Sequence, residues 1–156
     1  MMVYPAFGSY EHVDWVEVRH EVIVHRLRKL DVESLTILIG HLLEFEGLRA
    51  RLRSPLDPDQ LAFTAADGPL GMGDLQIKGR MIQDREVAIG DVEALTASLL
   101  PWEKGLLIGL SGIEAAAFRA FRDARNLRWL DDREFVHLLV KHEDALIPEY
   151  RALTAR

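Results

Sequence analysis

The clearest alternation along this chain lies in the run GDLQIKGRMI, where Leu75, Ile77 and Met81 are apolar and Gln76, Lys78 and Arg80 are polar. Apolar residues at every second position predict a strand with one buried and one polar face. Side chains two apart leave a strand on the same side, so Gln76 and Lys78 are expected together on the polar face. Upstream, Leu61, Phe63 and Ala65 alternate as a short strand, and the Gly-rich ADGPLGMGD with Pro69 reads as the turn between the two.

The remaining elements follow from spacing and breakers. Residues 1–12 read as irregular, with Pro5, Gly8 and Ser9. Val13 to Leu30 carries both a helical stripe (Val13, Val16, His20, Ile23, Leu27, Leu30) and an alternating set of valines; helix is the preferred reading. Asp31 to Arg53 is expected to be one helix, capped by Asp31 or Ser34, striped by Leu35, Ile39, Leu42, Leu43 and Leu48, and stopped by Pro55 and Pro58. After the Leu75–Ile82 strand, Val87–Ile89 predicts a brief return strand. Asp91 is expected to cap a helix ending before Pro101. KGLLIGLSG, almost wholly apolar between glycines, reads as a strand buried on both faces. IEAAAFRAFRDARN predicts a helix, LRWL a short strand, and DDREFVHLLVKHEDAL a last helix capped by Asp131 or Asp132. Strands alternating with helices after a hairpin predict an α/β fold with a mixed central sheet flanked by helices.

With 156 residues, 49% hydrophobic and 28% charged, the chain is long enough for one well-cored domain. The net charge of -6 does not advertise a nucleic-acid partner, but basic residues cluster at Arg49, Arg51 and Arg53 and again at Arg119, Arg122, Arg125 and Arg128. Such rows can track phosphates, but they are more often solvated faces. The absence of cysteine removes disulfides, thiol nucleophiles and Cys-type zinc sites. No leader-like start and no apolar run near the ~20 residues of a membrane span are present, so a soluble, cytoplasmic protein is expected.

Other motifs are weaker. The histidines of HEVIVH (His20 to His25) are five apart, which on a helix puts them too far round to share a metal. Glu17/His20 and Glu134/His137 have the Glu-x-x-His spacing of carboxylate-bridged metal bundles, but the strand-like middle of the chain does not supply four long helices. The Gly71–Gly73 pair precedes a strand, unlike a dinucleotide fingerprint. Trp15, Trp102 and Trp129 read as core or interface anchors.

Residues 73–142, in the pieces LQIKGRMIQDREVAIGDVEALTASL, KGLLIGLSGIEAAAFRAFRDARN and LRWLDDREFVHLL, resemble Mrr-type restriction endonuclease domains. That resemblance implies a restriction-endonuclease-like three-layer fold and a PD-(D/E)XK site in which Gln76 and Lys78 match Gln-x-Lys. It implies Asp59, in Pro58-Asp59, as the metal-binding aspartate, with Asp67 as its rival. Glu46, in FEGL, matches the family's helical Phe-Glu-x-Leu. The metal ligands would be Asp59, Glu46 and Gln76, the cation magnesium or manganese, and the nucleic-acid contacts Arg49, Arg53 and Arg80. The chain departs from the family in having SPLDPDQ where a Gly-Asp-Gly-Gly-Ile-Asp run is usual. The gap from Glu46 to Asp59 also leaves little room for the family's first strand.

In such a site the cation binds the scissile phosphate and lowers the pKa of a water. Lys78 would orient the nucleophile and offset developing charge. The expected function is a magnesium-dependent DNA endonuclease of the restriction or defence type, with residues 1–30 as a candidate oligomerisation element and 31–156 as the catalytic domain. The partners are then DNA and a second copy or another protein. The alternative is an inactive relative, or an acidic immunity-type module that docks a protein.

Overall fold

The structure, a computed structural model, describes residues 15–57 and 60–155, with the side chains of 15, 16, 52–57, 60 and 69 excepted. The β-branched segment that begins it forms α1 (Trp15–Arg28), which buries Ile23, Val24 and Leu27. Asp31 accepts a hydrogen bond from the Ser34 amide at 2.7 Å and starts α2 (Val32–Phe45).

That helix is shorter than the sequence suggests. Gly47 takes φ +87°, and the amides of Gly47 and Leu48 return to the carbonyls of Glu44 and Leu43 at 2.9 Å each. This Schellman closure ends the helix at Phe45 and turns the chain. Arg49–Asp57 is therefore strand β1 rather than the tail of a helix. The room that seemed missing for a first strand is present.

β1 pairs antiparallel with β2 (Gln60–Ala66), and β2 with β3 (Gln76–Ile82). β3 then runs parallel to β4 (Glu103–Gly109), and β4 to β5 (Leu127–Leu130), giving a mixed sheet in the order β1-β2-β3-β4-β5. The crossovers are α3 (Ile89–Ser98) and α4 (Ala115–Asp123), and α5 (Asp132–Lys141) follows β5. A last helix, α6 (Pro148–Thr154), was not anticipated; Pro148 opens it, and Tyr150 and Leu153 anchor it. No return strand forms at Val87–Ile89: Val87 makes a single parallel bridge to Ile113, and Ile89 already belongs to α3. Asp91 is not the cap of α3 but lies in its first turn, reaching back to the Ala88 amide at 2.8 Å.

Two apolar clusters make the layers. One joins α1, α2, α5 and α6 to Leu61, Phe63, Ala65, Met81, Ile108 and Leu130 of the sheet. The other packs α3 and α4 on Ile82, Leu107, Leu127 and Trp129 of the opposite face. Gly79 shows how closely β3 is fitted: a Cβ there would meet three ring carbons of Phe63, all within 2.6 Å. Phe63 and Gly79 are cross-strand partners, and this fit holds the hairpin in register. Among the described residues α3 and α4 cover β3 to β5 and stop short of β1 and β2, whose second face no described helix covers.

Candidate functional site

The alternation of β3 is borne out. Ile77, Gly79 and Met81 face the larger core, while Gln76, Lys78 and Arg80 face the side of α3 and the open part of the sheet. Cross-strand pairing extends these into rows. Gln76 stands between Ala66 of β2 and Glu103 of β4, and Arg49 lies beyond Ala66. Lys78 stands between Thr64 and Gly105, with Arg51 beyond Thr64. Arg80 stands opposite Ala62, whose other partner is Arg53.

Each polar side chain on β3 has a partner. Gln76 Nε2 donates to the Gly73 carbonyl at 2.8 Å and so ties the strand to the hairpin tip. Lys78 Nζ donates to the Ser98 carbonyl at 2.6 Å and lies 3.3 Å from Glu103 Oε1. Ser98 ends α3, so the ammonium satisfies a carbonyl the helix leaves unpaired and complements the helix dipole. The same Glu103 oxygen accepts the Leu100 amide at 2.7 Å, which fixes the turn before β4. Glu103, just ahead of the KGLLIGLSG run, carries no signal in the sequence; it is the parallel pairing of β4 with β3 that brings it to Lys78.

The carboxylates expected here are placed otherwise. Glu46 is the C-cap of α2 and accepts from His142 Nε2 at 2.7 Å and Lys141 Nζ at 3.0 Å, on the α5 side of the sheet. Those two partners, His142 first, hold its carboxyl below the usual glutamate range. Lys78 and Gln76 face the other way, so the structure does not bring Glu46 to them. Asp67 spends Oδ1 on the Leu75 amide at 3.0 Å, and its carbonyl accepts the Gly73 amide at 2.6 Å; it shapes the turn. Asp59 lies outside the described residues. So does the side chain of Arg53.

Glu17 and His20 pair instead with Arg133 and with Asp132, the latter at 3.0 Å. Among the described residues no three His, Cys, Asp or Glu side chains converge as metal ligands. The β2 residues opposite Gln76 and Lys78 are Ala66 and Thr64, and among the described residues Glu103 is the carboxylate that pairs with Lys78. The described donors therefore do not make a magnesium site.

What they do make is a basic surface. Arg49 and Arg51 are exposed on the open face and form no ion pair among the described residues. Arg80 adjoins Asp91, which burial pushes up; the Arg85 hydrogen bonds at 2.7 and 2.9 Å and the Ala88 amide outweigh that and leave its carboxyl below the usual range. Asp91 is thereby committed to α3. No described helix is long and apolar enough to cross a membrane.

No family model and no curated protein sequence matches the chain. Solved structures similar to it include the DNA modification-dependent restriction endonuclease AspBHI, at 17% identity and TM-score 0.58, covering 88% of this chain and 39% of that one. The MspJI restriction endonuclease in complex with a 27-mer oligonucleotide matches at 13% identity and TM-score 0.48, covering 97% of this chain and 33% of that one. The chain thus spans about two fifths of the length of AspBHI. The likeness to AspBHI shows the fold: α/β, restriction-endonuclease-like, with a mixed central sheet between helical layers.

Proposed function

We propose that this chain is a DNA-acting domain of the restriction-endonuclease-like class and that the open face of β1–β3 carries the duplex backbone. The observation that supports this most is the pair of exposed arginines, Arg49 and Arg51, on a sheet face that no described helix covers, in a chain whose net charge is -6; Lys78, on the same face, is paired with Glu103. A local cationic strip on an acidic molecule concentrates phosphate contact in one place and repels the polyanion elsewhere. Arginine's planar, weakly hydrated fork suits phosphate oxygens.

Magnesium-dependent cleavage is the second reading. It is favoured by Gln76 and Lys78, which stand two apart on the face that would meet the backbone, beside the Glu103 carboxylate. It would draw its principal carboxylate from Asp59. On this reading the reaction is phosphodiester hydrolysis in restriction or defence, and a second copy or a partner protein would extend the footprint of so small a domain. The protein-docking alternative has less behind it, since the exposed charge on the open face is basic.

Supercoiled plasmid incubated with the protein, with and without magnesium or manganese, tests both readings in one gel. A mobility shift in either condition supports DNA binding. Metal-dependent nicking that is lost in Lys78→Ala and in Asp59→Ala adds cleavage. Neither shift nor nicking would overturn the DNA reading and favour a protein partner.

A further inference from the structure

The β2–β3 hairpin ends in a tip that packing among the described residues does not explain. Leu70 is 80% exposed and Met72 81% exposed, the two most exposed of the large apolar side chains among the described residues. Transferring such side chains out of water is worth ~1.5–3 kcal/mol each, so a tip that displays two of them forgoes that gain in the free protein. The tip is also built to stay where it is. Asp67 holds the Leu75 and Gly73 amides, Gly71 donates to the Gly68 carbonyl at 3.1 Å, and Gln76 holds Gly73.

Leu70 has φ 60°, in the left-handed region a leucine rarely takes. Gly68, Gly71 and Gly73 supply the rest of the bend; a Cβ at Gly71 would meet Arg49 Cβ at 2.9 Å and Ala66 Cβ at 3.9 Å. The tip therefore curls onto the lower end of the open face, against Arg49. Gln76, expected as a ligand, is one of its tethers.

We infer that Leu70 and Met72 form an apolar wedge that enters a groove of duplex DNA and partly unstacks a base step while Arg49 and Arg51 hold the flanking phosphates. This rests on the DNA reading above and specifies how that face engages its substrate. Leucine and methionine are among the side chains that proteins insert between base steps, where unstacking is offset by the contacts a bent duplex allows. Arg49, against the tip at Gly71, and Arg51, two residues further along the same face, form no ion pair among the described residues, and they favour DNA over an apolar protein surface as the occupant, although Asp67, held on the turn amides, and the exposed Asp74 flank the tip. Flexible pyrimidine–purine steps would be the preferred points of entry.

The test uses the full chain and duplex oligonucleotides carrying 2-aminopurine at successive positions, whose fluorescence rises when the base unstacks, with anisotropy read in parallel. Wild type is expected to raise the fluorescence at one position, strongest at a TA or CA step. Leu70→Ser/Met72→Ser, both at exposed positions, is expected to lose that rise while retaining salt-dependent binding and an unchanged melting temperature. Wild-type binding with no rise at any position, or an undiminished rise in the variant, would overturn the wedge and leave DNA binding standing. No binding by wild type would overturn both.

Discussion

Gly79→Ala tests the register on which the whole site depends. Gly79 faces the core between Lys78 and Arg80, directly opposite Phe63, which is 1% exposed. A methyl at Gly79 would overlap three ring carbons within 2.6 Å, where ordinary contact begins near 3.4 Å. Replacing glycine lowers the entropy of the unfolded chain and by itself favours folding by ~0.4–1 kcal/mol. Overpacking a filled core works against this by ~1–3 kcal/mol, and by more where a ring cannot turn aside. Complete loss of the Phe63 contacts, ~3–5 kcal/mol, sets the ceiling. The expected net loss is about 2–3 kcal/mol. It would appear as a lower urea midpoint at unchanged slope, followed by circular dichroism.

Phe63→Ala removes the obstacle, so the double variant should be more stable than the sum of the two single losses by ~1–3 kcal/mol. A Gly79→Ala protein within ~0.5 kcal/mol of wild type, or strictly additive losses, would refute the Phe63–Gly79 pairing. The placement of Thr64 opposite Lys78 would fall with it.

Asp91→Ala removes a bidentate contact to Arg85 and the reach-back to the Ala88 amide, and Arg85 is exposed enough to find water. A loss of about 2–3 kcal/mol at pH 7 is expected. Because the folded carboxyl lies below its ordinary 3.8, this stability is full above that value and is lost as pH falls through the folded pKa. The difference from wild type in urea unfolding should therefore be constant above pH 3.8 and shrink progressively as pH falls below it; a gap that stayed constant into strong acid would contradict the ion pair. Glu46→Gln should cost at most ~1 kcal/mol near neutrality, through its part-exposed contacts to His142 and Lys141. The folded value lies below 4.5, so that contribution too is present above pH 4.5 and disappears in stronger acid. Since Glu46 lies on the other side of the sheet, the same substitution should leave DNA binding unchanged.

The strands that period and breakers define strongly, β3 and β4, are where the residues place them; α3 and α5 are present, but α3 begins at Ile89, ahead of the expected Asp91 cap, and α5 ends at Lys141 rather than running on to Leu146. β1 was hidden because Leu48, Ala50 and Leu52 alternate with Arg49, Arg51 and Arg53, and arginine is as much at home in a helix as on a strand. Gly47, four residues past the stripe residue Leu43, was the stop signal. The Pro-initiated α6 was likewise legible in IPEYRALT, but it was too short to stand out by periodicity. At the site, the shared face of Gln76 and Lys78 follows from a period of two. Their partners do not: Gly73 depends on the hairpin turn, Ser98 on where α3 ends, and Glu103 on the parallel register of β4. Glu46 belongs to a helix on the opposite layer, and no spacing along the chain shows which layer a helix joins. Trp102, expected as a core or interface anchor, is exposed in the turn before β4 and so is not part of the core.

The most direct test of the account is the salt dependence of duplex binding, measured by anisotropy for wild type and for Arg49→Ala/Arg51→Ala. Each phosphate contact contributes ~0.9 to the slope of log affinity against log salt. Losing two contacts should flatten the slope by about 2 and weaken binding alike across sequences. An unchanged slope, with the variant folded and binding as tightly as wild type, would contradict the assignment of the open sheet face to DNA.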